Sequence, residues 1–142
     1  MKKLLLSLLT LVALAGCGSA GNRHHAVYLL VDTSGTYTRE LGKAEHLMAY
    51  LLGELHEGDS IAVARVKSRS FTEKDILAKT TLDNDPLKAN TQKKAFQTEF
   101  RRLTRAQSQG SAYTDITGGL LLASEFLRET GAGRKTLVIF SD

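Results

Sequence analysis

Asp32, Ser34 and Thr36 stand at alternate positions in the run Asp32-Thr33-Ser34-Gly35-Thr36, directly after the apolar stretch Tyr28-Leu29-Leu30-Val31. A carboxylate and two hydroxyls on one turn can converge on a small hard cation, which prefers oxygen ligands. Gly35 permits the close backbone bend that such convergence needs. A second apolar stretch, Thr136-Leu137-Val138-Ile139-Phe140, runs into Ser141-Asp142 and brings another carboxylate to a strand exit. Two such exits are expected side by side in a parallel sheet. In open α/β folds ligands bind outside the carboxyl ends of the strands, near the point where strand order reverses.

With Thr114-Asp115, these segments resemble the von Willebrand factor type A domain and its metal-ion-dependent adhesion site. That family carries a D-x-S-x-S loop, a separate threonine loop and an aspartate after the fourth strand. Asp32, Ser34 and Thr36 match the first element, with Thr36 in place of the usual serine; Thr114 matches the second and Asp142 the third. The resemblance covers residues 26–142. It implies an α/β fold with a doubly wound, mostly parallel sheet, helices on both faces in the Rossmann-like manner, and one antiparallel edge strand. It implies a divalent cation (Mg2+, or Mn2+ or Ca2+) bound through Ser34, Thr36 and Thr114, with Asp32 and Asp142 holding coordinated waters or the hydroxyls. The implied partner is a protein that offers an Asp or Glu side chain to the ion, and no catalysis is expected. Because a type A domain has further strands and helices after the position of Asp142, the resemblance also implies that these residues are its front part, with the C-terminal part missing. The last strand would then be an exposed hydrophobic edge.

Two other readings compete. The same D-T-S-G-T run is similar to the first motif of the haloacid dehalogenase superfamily, D-x-D-G-T, and Val138-Ile139-Phe140-Ser141 to its second. In that family Asp32 would attack a phosphoryl group, but Ser34 occupies the place of the general acid, and a hydroxyl cannot share protons with a leaving group as a carboxyl can. Thr114-Asp115-Ile116 followed by an apolar helix has a place in the type A pattern and none in the dehalogenase one. The other reading is a structural scaffold that works through protein surfaces without metal. Thr114 and Asp115 also suit helix capping by themselves, and capping is compatible with ion binding.

The first residues read as an address. Lys2 and Lys3 form a charged start, residues 4–13 an apolar core too short to span a bilayer, and Leu14-Ala15-Gly16-Cys17 a small-residue cleavage site ending in cysteine. This resembles the lipobox of bacterial lipoproteins, which implies a signal peptide over residues 1–16 and lipidation of Cys17, labelled by palmitate. The expected location is the cell envelope, on the outer membrane facing the periplasm if the host has two membranes, because residue 18 is glycine rather than aspartate. Cys17 is the sole cysteine, so no intramolecular disulfide can form. Residues 17–25 are expected to be the lipidated anchor and a flexible tether, with His24 and His25 uninvolved in metal binding.

The chain has 19 Lys and Arg against 15 Asp and Glu, and removal of Lys2 and Lys3 with the leader leaves 17 against 15. Such near-neutrality argues against nucleic acid as a partner. Arg101, Arg102 and Arg105 read as the solvated side of a helix.

The positioning elements follow from periodicity. Residues 26–32 form a continuous apolar run, as in a strand buried on both faces. Leu41, Ala44, Leu47, Met48, Leu51, Leu52 and Leu55 recur at helical spacing. A strand is expected over 60–66 and another over 75–82, antiparallel because the link between them is too short for a crossover helix. Asp83-Asn84-Asp85-Pro86 breaks the chain and starts a helix carrying Ala95, Phe96, Phe100 and Leu103. After a polar loop over 107–113, Ile116, Leu120, Ala123 and Leu127 define a further helix, in which Gly118 and Gly119 are expected to permit close packing. Gly131-Ala132-Gly133 ends it, and the last strand follows.

Overall fold

The computed structural model describes residues 22–32, 37–66, 75–105 and 116–140. Within them lie β1 (His25–Asp32), α1 (Tyr37–Glu54), β2 (Ser60–Val66), β3 (Ile76–Thr81), α2 (Pro86–Arg105), α3 (Ile116–Glu129) and β4 (Arg134–Phe140). The strands form one sheet in the order β3-β2-β1-β4. β1 pairs in parallel with β2 on one side and β4 on the other, and β3 pairs antiparallel with β2. The class is therefore α/β with a mixed, mostly parallel sheet and one antiparallel edge, as the sequence pattern predicts.

β1 is the middle of the core, and its composition shows why. Residues 26–31 are all apolar or aromatic and none exceeds 1% exposure, because both faces of the strand are covered. Val27, Leu29 and Val31 face Ala44, Met48 and Leu52 of α1 together with Phe96 and Phe100 of α2. Tyr28 and Leu30 point the other way, onto Ala62, Ala64 and Ala123. Truncating Leu29 to alanine would cost about 2–5 kcal/mol, the transfer term plus the cavity. The Tyr28 ring meets Phe126 of α3 at 5.7 Å in a tilted arrangement. Burial, with the Asp75 carboxylate nearby, pushes the Tyr28 phenol up to about 12, so it stays protonated.

Local chemistry sets the helix ends. Asp85 Oδ1 accepts the backbone N–H groups of Leu87 and Lys88 at 2.8 and 3.2 Å, and Pro86 occupies the first helical position of α2. Such a cap contributes about 1 kcal/mol. At the other end of α1, Lys93 of α2 donates to the Leu55 carbonyl, joining the two helices. Arg101 pairs with Glu45 of α1 at 3.5 Å and Arg102 with Glu99, while both arginines remain exposed, as a solvated helix side should be. α3 stops at Gly131, whose φ of 62° is the left-handed conformation that ends helices.

Two expectations change. Ile116 and Leu120 do not lie in the core stripe of α3; they are 42% and 38% exposed, and the buried residues are Gly118, Gly119 and Ala123. The sheet face under α3 carries alanines at positions 62 and 64, so the backbone side bearing the glycines sits closest to it. The tether also ends earlier than residue 25. His25 belongs to β1, and Asn22 Nδ2 donates to the Gly131 carbonyl at 2.9 Å while Asn22 Oδ1 accepts the His24 N–H. Leu41's side chain, the 107–113 loop and the leader lie outside the described residues.

Candidate functional site

Sheet topology brings two predicted carboxylate exits to one place. The chain leaves β1, passes through α1 to β2 on one side, and later returns to β4 on the other side of β1. The strand order therefore reverses between β1 and β4, and the carboxyl ends of those two strands flank the crevice where such folds take ligands. Asp32 is the last residue of β1, paired with Val66 across the sheet. Val31 pairs with Phe140, one position before Asp32 and two before Asp142 in the sequence. A strand held by hydrogen bonds on both edges gives Asp32 a fixed backbone origin. Ser34, Thr36, Thr114, Asp115 and Asp142 lie outside the described residues, as does Cys17.

α3 starts at the same end. A Cβ built on Gly119 would stand 2.9 Å from Leu30 Cδ2 and 3.0 Å from Cδ1. Leu30 is fully buried and lies two residues before Asp32, so it has little freedom to yield. The absent side chain at Gly119 is what lets the first turns of α3 approach the upper part of β1. Thr114 and Asp115 immediately precede that helix in the sequence. The expectation that the glycine pair permits close packing is met at Gly119, and Gly118 is buried beside it.

A second polar cluster, at the opposite end of the sheet, was not evident from sequence. Asp59, in the turn before β2, is buried; its Oδ1 accepts the His25 N–H at 2.7 Å and its Oδ2 the His56 N–H at 2.8 Å. Arg134 Nη2 stands 2.8 Å from His25 Nδ1, and His25 Nε2 lies 2.8 Å from Thr136 Oγ1. Arginine only donates, so Nδ1 is the acceptor and Nε2 carries the proton that goes to Thr136. Burial and the Arg134 charge lower the His25 pKa, against a weaker opposite pull from Asp59. The imidazole is thus a neutral link between β1 and β4. A recess of about 540 Å³ opens at this same end, lined by His24, Gly58, Ser60, Thr81, Asp83 and Thr130 among others. It is remote from the β1 and β4 exits. In the sequence Glu57-Gly58-Asp59 has the composition of a turn, which gives no hint that the Asp59 carboxylate is turned inward.

Among the described residues no group of three or more His, Cys, Asp or Glu could hold an ion, and no helix is long and apolar enough to cross a membrane. The chain matches no model of a known protein family and no curated protein.

Proposed function

We propose that this chain forms part of a von Willebrand factor type A domain on a cell-envelope lipoprotein, where it binds a divalent cation and, through it, an acidic side chain of a protein partner. The observation that carries this reading is the parallel pairing of β1 with β4 at the strand-order reversal, with Asp32 at the exit of one strand and Asp142 two residues past the end of the other. The order β3-β2-β1-β4 is that of the first four strands of a doubly wound sheet, and helices cover both faces. The antiparallel β3 is the edge that the resemblance leads one to expect.

The donor set is all oxygen: hydroxyls from Ser34, Thr36 and Thr114 and carboxylates from Asp32 and Asp142. It fits magnesium, manganese or calcium and does not suit zinc, which takes nitrogen and sulfur readily. In the proposed arrangement the hydroxyls coordinate directly, while Asp32 and Asp142 orient them or bound waters. When bound, the ion supplies an electrophilic centre with charge left over for a further carboxylate. Partner binding and metal occupancy are then linked, each raising the affinity of the other. No nucleophile and base are assigned, and no turnover is expected. Cys17 is the proposed lipidation site that keeps the domain at the membrane.

The test is capture of a partner from envelope extract by the full-length protein, with Mg2+ and with chelator. Capture should vanish in chelator and with Asp32→Ala. Undiminished capture in chelator would refute the metal-dependent mode. Phosphatase activity that disappears with Asp32→Ala would establish the dehalogenase alternative instead.

A further inference from the structure

The start of the described chain is fastened to the end of the sheet opposite the proposed site. Asn22 is bonded to Gly131 in the α3–β4 turn, the His24 carbonyl accepts the Arg134 N–H at 3.2 Å, and the His25 N–H is held by Asp59. The fit is close: a Cβ on Gly133 would fall 1.8 Å from the Asn22 carbonyl oxygen, so the incoming backbone passes directly over that glycine. Only residues 18–21 separate this clamp from Cys17. Five Cα steps span at most about 18 Å when fully stretched. β1 itself rises about 23 Å from its first residue to its last.

From these lengths we infer that the domain stands on the bilayer on the end where β1, β2 and β4 begin, and that the crevice between the exits of β1 and β4 faces away from the anchoring membrane. The inference rests on the proposed lipidation of Cys17. Inversion would require the leash to run the full height of the sheet, which is longer than the leash can stretch. With the strands upright on the bilayer, the crevice is carried about 23 Å outward. A carboxylate that reaches it is presented from the aqueous side, by a soluble protein or by one anchored elsewhere with a protruding domain.

Two exposed positions mark the two ends: Leu87 in the first turn of α2, near the clamp, and Thr117 in the first turn of α3, near the crevice. With the Cys17 sulfur occupied by lipid, Leu87→Cys and Thr117→Cys each give one reactive thiol for a fluorophore. The lipidated full-length variants would be placed in phosphatidylcholine vesicles carrying headgroup nitroxides. Quenching should be several-fold greater at position 87 than at 117. An insertion of about 20 Gly/Ser residues after Ala20 lengthens the leash to an average of about 28 Å and should abolish the difference. Equal quenching at both positions with the native leash, or stronger quenching at 117, would overturn the orientation while leaving the anchor intact. Failure of the protein to associate with vesicles would overturn the anchor itself, and the orientation with it.

Discussion

Gly119 and Leu30 are in such close register that a methyl group added to the glycine would sit 2.9 Å from Leu30 Cδ2. By contrast, Gly42 and Gly53 on α1 have nothing within 4 Å of an added Cβ, and both are exposed. Alanine in place of glycine favours a helix by up to about 1 kcal/mol, whereas overpacking a tight core costs about 1–3 kcal/mol. Gly42→Ala and Gly53→Ala should each raise the urea midpoint, and Gly119→Ala should lower it. Gly119→Val should lower it further and push the start of α3 off β1, weakening the proposed metal binding as well. A rise in stability for Gly119→Ala would mean that Leu30 can move aside.

Stability should depend on pH through His25. Its pKa in the fold lies below the ordinary 6.5, because burial and Arg134 disfavour the charged ring, only partly offset by Asp59. The unfolded chain then holds the proton more tightly than the folded one. The contribution of the neutral ring is complete above pH 6.5 and is lost as pH falls from there toward the lower folded value. A melting temperature that drops on acidification below this point, and drops less in His25→Gln, is the expected result. Identical pH profiles for the two proteins would show that another group is responsible.

Asp59 is expected to be a sensitive position. Its carboxylate satisfies two backbone N–H groups, those of His25 and His56, and its own carbonyl accepts the Leu82 N–H at 2.8 Å. Hydrogen bonds to charged groups contribute about 1.5–3 kcal/mol each. Asp59→Ala should therefore cost about 3 kcal/mol or more in chemical denaturation, with Asp59→Asn milder because one amide oxygen remains as an acceptor. A change below about 0.5 kcal/mol would indicate that water replaces the carboxylate without penalty.

Divalent metal should stabilise the proposed site by mass action. At a concentration a hundredfold above the dissociation constant the gain is about 2.7 kcal/mol, visible as a rise in melting temperature with Mg2+ or Mn2+. Asp32→Ala, Ser34→Ala and Asp142→Asn should each remove most of that rise. An equal rise in all three variants would place the ion elsewhere.

Apolar side chains on the outer side of α3 and β4 should govern solubility. Leu121 is 58% exposed and Ile139 46%, and β4 is the outermost strand of the described sheet. Such an edge can pair with another chain. The 142-residue protein should self-associate in a concentration-dependent manner during sedimentation, and Ile139→Lys should reduce this with little change in circular dichroism. Monomeric behaviour with a cooperative thermal transition would contradict that expectation.

Much of the architecture was readable in advance because periodicity and breakers agree. The short unbroken run around Leu29 has the length and composition of a strand covered on both faces, and Asp85-Pro86 announces the start of α2. The outward turn of Ile116 and Leu120 was not readable. Hydropathy rewards large side chains, whereas α3 packs by the absence of them at Gly118 and Gly119, above the alanines at 62 and 64. The clamp at Asn22 was equally hidden, since polar residues ahead of a strand look like any linker until their carbonyl and amide partners are known. For the proposed site, Asp32 is placed by its position at the end of β1, and the hydroxyls of Ser34, Thr36 and Thr114 enter the proposal through motif and spacing.

The pairing of β1 with β4 has a kinetic side. His25 and Arg134 touch across a sequence separation of 109 residues, and β4 fills an edge of the strand on which both cores converge. Contacts so distant along the chain form slowly, because a long loop must close before they give any return. Until β4 has been made, β1 has no partner on that side and the sheet cannot close. A nascent chain of this topology therefore cannot complete its described sheet until synthesis has passed Phe140, and the early strands must wait for the last one.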